Sequence, residues 1–305
     1  MKKTTLSLVL LTILILLMSA CGFGPPGTTG GSKDNNTIVI GSKNFSENII
    51  VGDMLYYLLK AKLKGVKVEN KPNLGATIVL WNSLQSGQID SYVDYTGTGL
   101  VDILKMPATT DPDKAYQTVK QEYPKRYQID WMKPLGFNNT YAVAVPKDLA
   151  NKYHLKKVSD LAPIASQLVF GGEPEYFTRP DGYKGFVDAY GLHFKSSKQI
   201  DTGLKYQATA SNQVQVLDVF STDGNLIRYN LTVLEDDKHF FPPYYAAPIV
   251  RESTLKAHPE IGPLFNSLAN KLDDASMQQL NYQVDVQHKS PDEVAQQFLK
   301  SQGLL

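Results

Sequence analysis

Residues 37–40 form a short β-branched run closed by Gly41, the pattern of a buried strand running into a turn. Downstream, Ile50, Met54 and Leu58 fall on one helical stripe, with Val51, Leu55 and Leu59 beside it. Ser46 stands where an N-cap belongs. Lys60, Lys62 and Lys64 occupy the last turns, where cations suit the helix dipole, and Gly65 stops the helix. Residues 66–69 read as a strand, 76–86 as a helix closed by Gly87, and 89–95 as a strand before Thr96-Gly97-Thr98-Gly99. This alternation predicts an α/β lobe built on a parallel sheet.

A similar order recurs. Residues 141–145 read as a strand ended by Pro146, 147–153 as a short helix, and 168–171 as a strand. Residues 183–190 read as a helix, and 216–220 as a strand before Ser221-Thr222-Asp223-Gly224. The segment 242–248 (PPYYAAP) crosses back, and the tail carries helical patterns at 258–272 and 291–299. No short repeat is present, so a solenoid is excluded. Two such lobes predict a cleft, since ligands sit outside the carboxyl ends of strands and between domains. The turns at 96–99 and 221–224 are placed to face each other across it.

The N-terminus has a different pattern. Lys2 and Lys3 precede an apolar run from Leu6 to Met18, broken only by Ser7 and Thr12. Small residues and Cys21 follow, which is the layout of a secretory signal. The run is shorter than the roughly 20 apolar residues that cross a bilayer. Residues 22–36 (GFGPPGTTGGSKDNN) lack the apolar content of a core and read as a flexible tether. A folded body of 305 residues less this segment, with 42% hydrophobic residues, supports a substantial core and two lobes.

Charge and composition narrow the chemistry. The chain carries net charge +1, which becomes −1 once Lys2 and Lys3 are left out. That argues against nucleic acid as a partner. One cysteine excludes an internal disulfide and a multi-cysteine zinc site. The five histidines show no metal-ligand spacing, so neither a metal nor a cofactor is expected. There is no Walker A pattern and no GxSxG elbow. The single GxGxxG, at Gly22, Gly24 and Gly27, lies in the tether without a strand before it and reads as chance. No nucleophile and base are arranged together, so no catalytic residue is assigned.

Aromatic residues carry the stronger signal, with 17 Tyr and 12 Phe. Most such rings serve as core or rim. Tyr95, Tyr141, Phe220 and Tyr244 differ in sitting at junctions between elements. Converging ring faces attract a cation that has no hydrogen bonds to offer, such as a quaternary ammonium.

The motifs Gly41-Ser42-Lys43-Asn44-Phe45-Ser46-Glu47, Asp94-Tyr95-Thr96-Gly97-Thr98, Phe137-Asn138-Asn139-Thr140-Tyr141, Phe177-Thr178-Arg179-Pro180-Asp181-Gly182-Tyr183, Ser221-Thr222-Asp223-Gly224 and Phe241-Pro242-Pro243-Tyr244-Tyr245 occur in that order. Together they resemble the substrate-binding lipoproteins of osmoprotectant ABC transporters, the glycine betaine/carnitine/choline family, over residues 37 to about 300. The resemblance implies an α/β, two-lobed type II periplasmic-binding-protein fold hinged by two crossovers. Lobe 1 would comprise 37–140 and 245–305, and lobe 2 would comprise 141–244. It also implies an aromatic cage of Tyr95, Tyr141, Phe220 and Tyr244, with Tyr245 the alternative to Tyr244. Many relatives have Tyr where Phe220 stands.

By the same resemblance Arg179 clamps a ligand carboxylate, and Lys43 and Thr98 add polar contacts. Choline-restricted relatives tend to carry an acid at the position of Thr98, so a neutral Thr favours zwitterionic betaines. Met18-Ser19-Ala20-Cys21 is similar to a lipobox, with Met18 where the family favours Leu. That implies a signal peptide over 1–20, a tether over 21–36 and lipidation at Cys21. The expected protein is lipid-anchored on the extracytoplasmic face of the cell membrane and delivers its ligand to an ABC permease and, through it, an ATPase. Two rivals are a lipoprotein binding another small solute, such as an amino acid, and an enzyme on the same scaffold.

Overall fold

The computed structural model describes residues 36–305; the signal, tether and Cys21 readings lie outside the described residues. These residues form one compact unit containing two five-stranded sheets. The first sheet holds β1 (Thr37–Lys43), β2 (Lys67–Gly75), β3 (Ser91–Tyr95) and β4 (Ile129–Trp131). The second holds β5 (Tyr141–Pro146), β6 (Val169–Gly172), β7 (Ser196–Gln199), β8 (Val216–Phe220) and β9 (Leu231–Leu234). The chain then returns to the first sheet as β10 (Ala246–Arg251).

The strand orders are β2-β1-β3-β10-β4 and β7-β6-β8-β5-β9. In each sheet three strands run parallel: β2, β1 and β3 in the first, and β7, β6 and β8 in the second. The fourth strand, β10 or β5, is the one the chain enters after leaving the other sheet, and it pairs antiparallel with both neighbours. The purely parallel sheets expected from the alternation are therefore mixed. The physical reason is connectivity: a strand entered from the other sheet starts at the edge where the parallel strands end. The carboxyl ends of β1, β3, β6 and β8 thus meet the amino ends of β5 and β10.

Helix α1 (Ser46–Lys62) buries Ile50, Val51, Met54, Leu55, Leu58 and Leu59, the predicted stripe. It ends before Gly65, whose φ is +75°. Ser46 is not its cap. Phe45 holds the cap position with extended backbone, while the Ser46 hydroxyl donates to Asp285. Along β1, Ile38 and Ile40 join one buried cluster and Val39 another, so the sheet is covered on both faces. Helix α2 (Thr77–Gln85) follows β2. The C-terminal helix Pro291–Ser301 packs on α1.

The expected crossover over 242–248 is shorter than that, because pairing with β3 begins at Ala246, with β4 joining from Ile249. Pro248 lies inside β10, and its carbonyl accepts from the Met132 N–H at 2.8 Å. The predicted helix over 258–272 narrows to Ile261–Asn266. The helices Pro112–Tyr127 and Asp274–Asp285, and the short strands β4, β7 and β9, were not anticipated. Among the described residues, no helix is long and apolar enough to cross a membrane.

Candidate functional site

A cavity of about 220 Å³ opens where those strand ends meet. Its lining includes Lys43, Tyr95, Thr98, Tyr141, Arg179, Phe220 and Tyr244, every described residue singled out from the sequence. Tyr244 faces it, whereas Tyr245 does not line it. Each position follows from the topology. Lys43 ends β1, Tyr95 ends β3, Phe220 ends β8, Tyr141 opens β5, and Tyr244 lies two residues before β10. Thr98 follows Tyr95 in a π-helical turn (Thr98–Ile103), and Arg179 caps the short helix Pro174–Thr178.

The rings form a continuous chain. Tyr141 and Phe220 are directly paired across β5 and β8, with centroids 4.9 Å apart. Tyr141 meets Tyr244 edge to face at 5.5 Å. Phe45 stacks against Phe220 at 5.7 Å and against Tyr95 at 6.2 Å. Phe45 was missed in the sequence, although it satisfies the junction criterion that picked out the other four: it stands between β1 and α1 and lines the cavity. All five rings are apolar walls with an electron-rich face, the chemistry that holds a desolvated cation.

Buried carboxylates hold the polar groups in place. Asp181 accepts from Arg179 Nε at 2.9 Å and Nη2 at 2.7 Å, and from the Tyr244 hydroxyl at 2.5 Å. One edge of the guanidinium is therefore already occupied. Nη1 instead points at Thr98 Oγ1, 3.3 Å away, with Glu175 at 3.5 Å and Asp102 at 3.8 Å. The same guanidinium lies 5.5 Å from the Tyr141 ring centre and 5.8 Å from that of Tyr244. Desolvation by burial works to loosen the Arg179 proton, but the Asp181 charge and hydrogen bond together with the Tyr141 and Tyr244 hydroxyls outweigh it and hold the proton more tightly than usual.

Lys43 is similarly committed. Its ammonium donates to Asp94 at 2.8 Å and to Thr77 at 2.9 Å, and lies 5.2 Å from the Tyr95 ring centre.

Glu173 was also missed. It follows β6 at the carboxyl edge of the second sheet, where the rule for open sheets looks for ligand-facing groups. Its carboxylate accepts from the Tyr141 hydroxyl at 2.7 Å and from Thr202 at 2.8 Å. Glu175 and Asp201 line the same cavity.

The two turns expected to face each other have separate roles. Thr98 reaches the cavity. Ser221 and Thr222 instead tie the second sheet to its surroundings: the Ser221 hydroxyl donates to the Asn138 carbonyl at 2.9 Å, and Thr222 donates to Glu47 at 2.6 Å. Among the described residues no cluster of His, Cys, Asp and Glu is arranged to hold a metal ion.

Comparison with known proteins places these features in a wider set. The family model described as the substrate binding domain of ABC-type glycine betaine transport system (OpuAC) matches residues 36–301. The chain is 41% identical over 304 residues to the carnitine transport binding protein OpuCC of Listeria monocytogenes, covering 98% of this chain and 97% of that one. It is 37% identical to the glycine-betaine-binding protein of Pseudomonas aeruginosa, covering 90% and 91%. A solved structure described as a glycine betaine/carnitine/choline ABC transporter superposes with a TM-score of 0.72 at 36% identity, covering 88% of this chain and 99% of that one.

Proposed function

The chain belongs to the family of substrate-binding domains of ABC-type glycine betaine transport systems, and on that premise we propose that it captures a zwitterionic quaternary ammonium solute in the five-ring cavity. Carnitine and glycine betaine, named for its relatives, each pair a trimethylammonium with a carboxylate. The carrying observation is the ring chain Tyr95, Phe45, Phe220, Tyr141 and Tyr244 lining one cavity with Arg179. The methylated nitrogen sits among the ring faces, and each face contributes about 0.5–2 kcal/mol according to its desolvation. The carboxylate meets Arg179 Nη1 and the Thr98 hydroxyl, because Asp181 already occupies the Nε–Nη2 edge. Thr98, being neutral, leaves room for that carboxylate.

The ligand is released unchanged to an ABC permease driven by an ATPase; no reaction occurs on it. The body is held at the extracytoplasmic face of the membrane through an acylated Cys21. A single acyl chain binds membranes only marginally, and two or more hold firmly. Incorporation of labelled palmitate, lost in Cys21→Ser together with membrane retention, tests the anchor.

A second reading has one feature in its favour. Glu173 and Glu175 supply acceptors in the lining that the donors of a primary ammonium require. Calorimetric titration with glycine, dimethylglycine and glycine betaine separates the two. Affinity that rises with methylation supports the cage; tighter binding of glycine supports an amino-acid receptor. Calorimetry suits this site because neither Trp81 nor Trp131 lines the cavity.

A further inference from the structure

Glu47 is a carboxylate with no cation bound to it, buried to 2% exposure. Four donors converge on it from four parts of the chain. Its Oε1 accepts from the Tyr95 hydroxyl at 2.8 Å and from Asn139 Nδ2 at 2.5 Å. Its Oε2 accepts from Thr222 Oγ1 at 2.6 Å and from Asn281 Nδ2 at 3.0 Å. Tyr95 ends β3 of the first sheet, and Asn139 lies in the crossover to the second. Thr222 follows β8 of the second sheet, and Asn281 belongs to the helix Asp274–Asp285. One side chain in the first turn of α1 therefore joins a ring of the cavity wall to both sheets and the segment between them.

We propose that Glu47 is the positioning residue of the cage: it fixes the Tyr95 ring only when the two sheets are drawn together, so that ligand binding and closure are coupled through its carboxylate. This rests on the ligand reading above. Glu47 itself lines a separate cavity of about 120 Å³ behind Phe45 and Phe220, and is not part of the ring-lined cavity. It acts on the ligand through Tyr95 rather than by contact.

The surroundings set its sensitivity to protons. Asp223 and Asp285 line the cavity behind it, and the Tyr206 hydroxyl donates to Asp223. The Lys43 ammonium lies over Tyr95 and is paired with Asp94, and the Lys205 ammonium lies over Phe220 and is paired with Asp218. With no cation to compensate it, burial raises the Glu47 carboxyl from 4.5 to about 7, against the pull of its four hydrogen bonds. The Oδ1 atoms of Asn139 and Asn281 are buried without a partner. Rotating either amide by half a turn presents an acceptor, so a protonated Glu47 has a place for its proton at the expense of one of the four ties.

The test is calorimetric titration of the full chain with glycine betaine at about pH 6 and about pH 8, a range in which the ligand does not titrate. Four proteins are compared: wild type, Glu47→Gln, Tyr95→Phe and the double variant. The wild type is expected to bind roughly fivefold or more tightly at the higher pH, the scale of one hydrogen bond of about 1 kcal/mol. In Glu47→Gln that pH difference disappears, and its affinity at pH 8 falls. The double variant binds no worse than the weaker single variant, since both act on the same tie.

Three results overturn the proposal: wild-type affinity in Glu47→Gln, an undiminished pH difference in it, or additive losses in the double variant. An undiminished difference assigns the titration to Asp218 or Asp285, which burial also raises. If the wild type binds neither glycine betaine, carnitine nor choline at either pH, the ligand reading falls first. Should Glu47→Gln fail to fold, Thr222→Val removes the donor from the second sheet while leaving the cage intact, and the same cycle with Tyr95→Phe decides.

Discussion

Tyr141 and Phe220 stand opposite each other as paired residues of adjacent antiparallel strands, and their rings lie 4.9 Å apart at 40°. Directly paired side chains on one face of a ladder are held at contact distance by the backbone. Two walls of the cavity are thus set by strand register rather than by loop conformation.

Removing one of those walls gives the simplest prediction. Phe220→Ala is expected to weaken glycine betaine binding by about 1–2 kcal/mol, the contribution of one ring face. Calorimetric titration measures it, and unchanged affinity removes Phe220 from the cage.

The proposed orientation of the ligand is tested at Arg179. Arg179→Ala removes the Nη1 donor beside Thr98 and is expected to reduce affinity for glycine betaine more than for choline, which has no carboxylate. Because the change also leaves Asp181 without its cation, the ratio of the two affinities is the quantity to compare. Equal losses reject the carboxylate contact.

Gly97 supports the Tyr244 ring closely. A Cβ added there would lie 2.6 Å from two carbons of that ring and 3.0 Å from the Pro243 carbonyl. Tyr244 cannot swing away freely, since its hydroxyl is held by Asp181. Gly97→Ala is therefore expected to displace the ring and cost roughly 1–3 kcal/mol of overpacking, read as lowered thermal stability together with weaker ligand binding. Wild-type affinity in this variant would show that the ring gives way without consequence.

Glu47 also predicts a pH dependence of stability. Its folded value of about 7 lies above the ordinary 4.5, so the native state holds a proton that the unfolded chain releases. That contribution to stability is complete below about pH 4.5 and is lost as the pH rises through about 7. Burial raises Asp53 and Asp285 to about 6 and gives slopes of the same sign. The difference between wild type and Glu47→Gln isolates the share due to Glu47. The midpoint of thermal unfolding in the ligand-free wild type should fall more steeply between about pH 5 and about pH 8 than in the variant. Parallel curves contradict the assignment.

The strands and helices that flank the cavity were legible because burial on both faces or on one stripe leaves a strong period, as in 37–40 and in α1. Lys147–Tyr153, Tyr183–Tyr190 and Val216–Phe220 match their predicted spans. The strand β7 is exposed along its whole length, and the edge strand β9 is four residues with two half-buried, one exposed and one buried; neither carries such a period. Pro248 hid the start of β10, since a proline inside a central strand reads as a break.

At the site, the aromatics at junctions are readable in the sequence, Phe45 included, whereas nothing in the pattern sets Glu173 apart from the chain's other acids. The Glu47 hub was invisible because its partners lie 48, 92, 175 and 234 residues away in the chain. Only the fold brings them together.

A crystal structure of the chain grown with trimethylglycine is the most direct test of the cage. The methylated nitrogen should lie within about 6 Å of the ring centres of Tyr95, Tyr141, Phe220 and Tyr244, with its carboxylate toward Arg179 and Thr98. A ligand lodged outside those rings, or seated with its carboxylate among them, would contradict it.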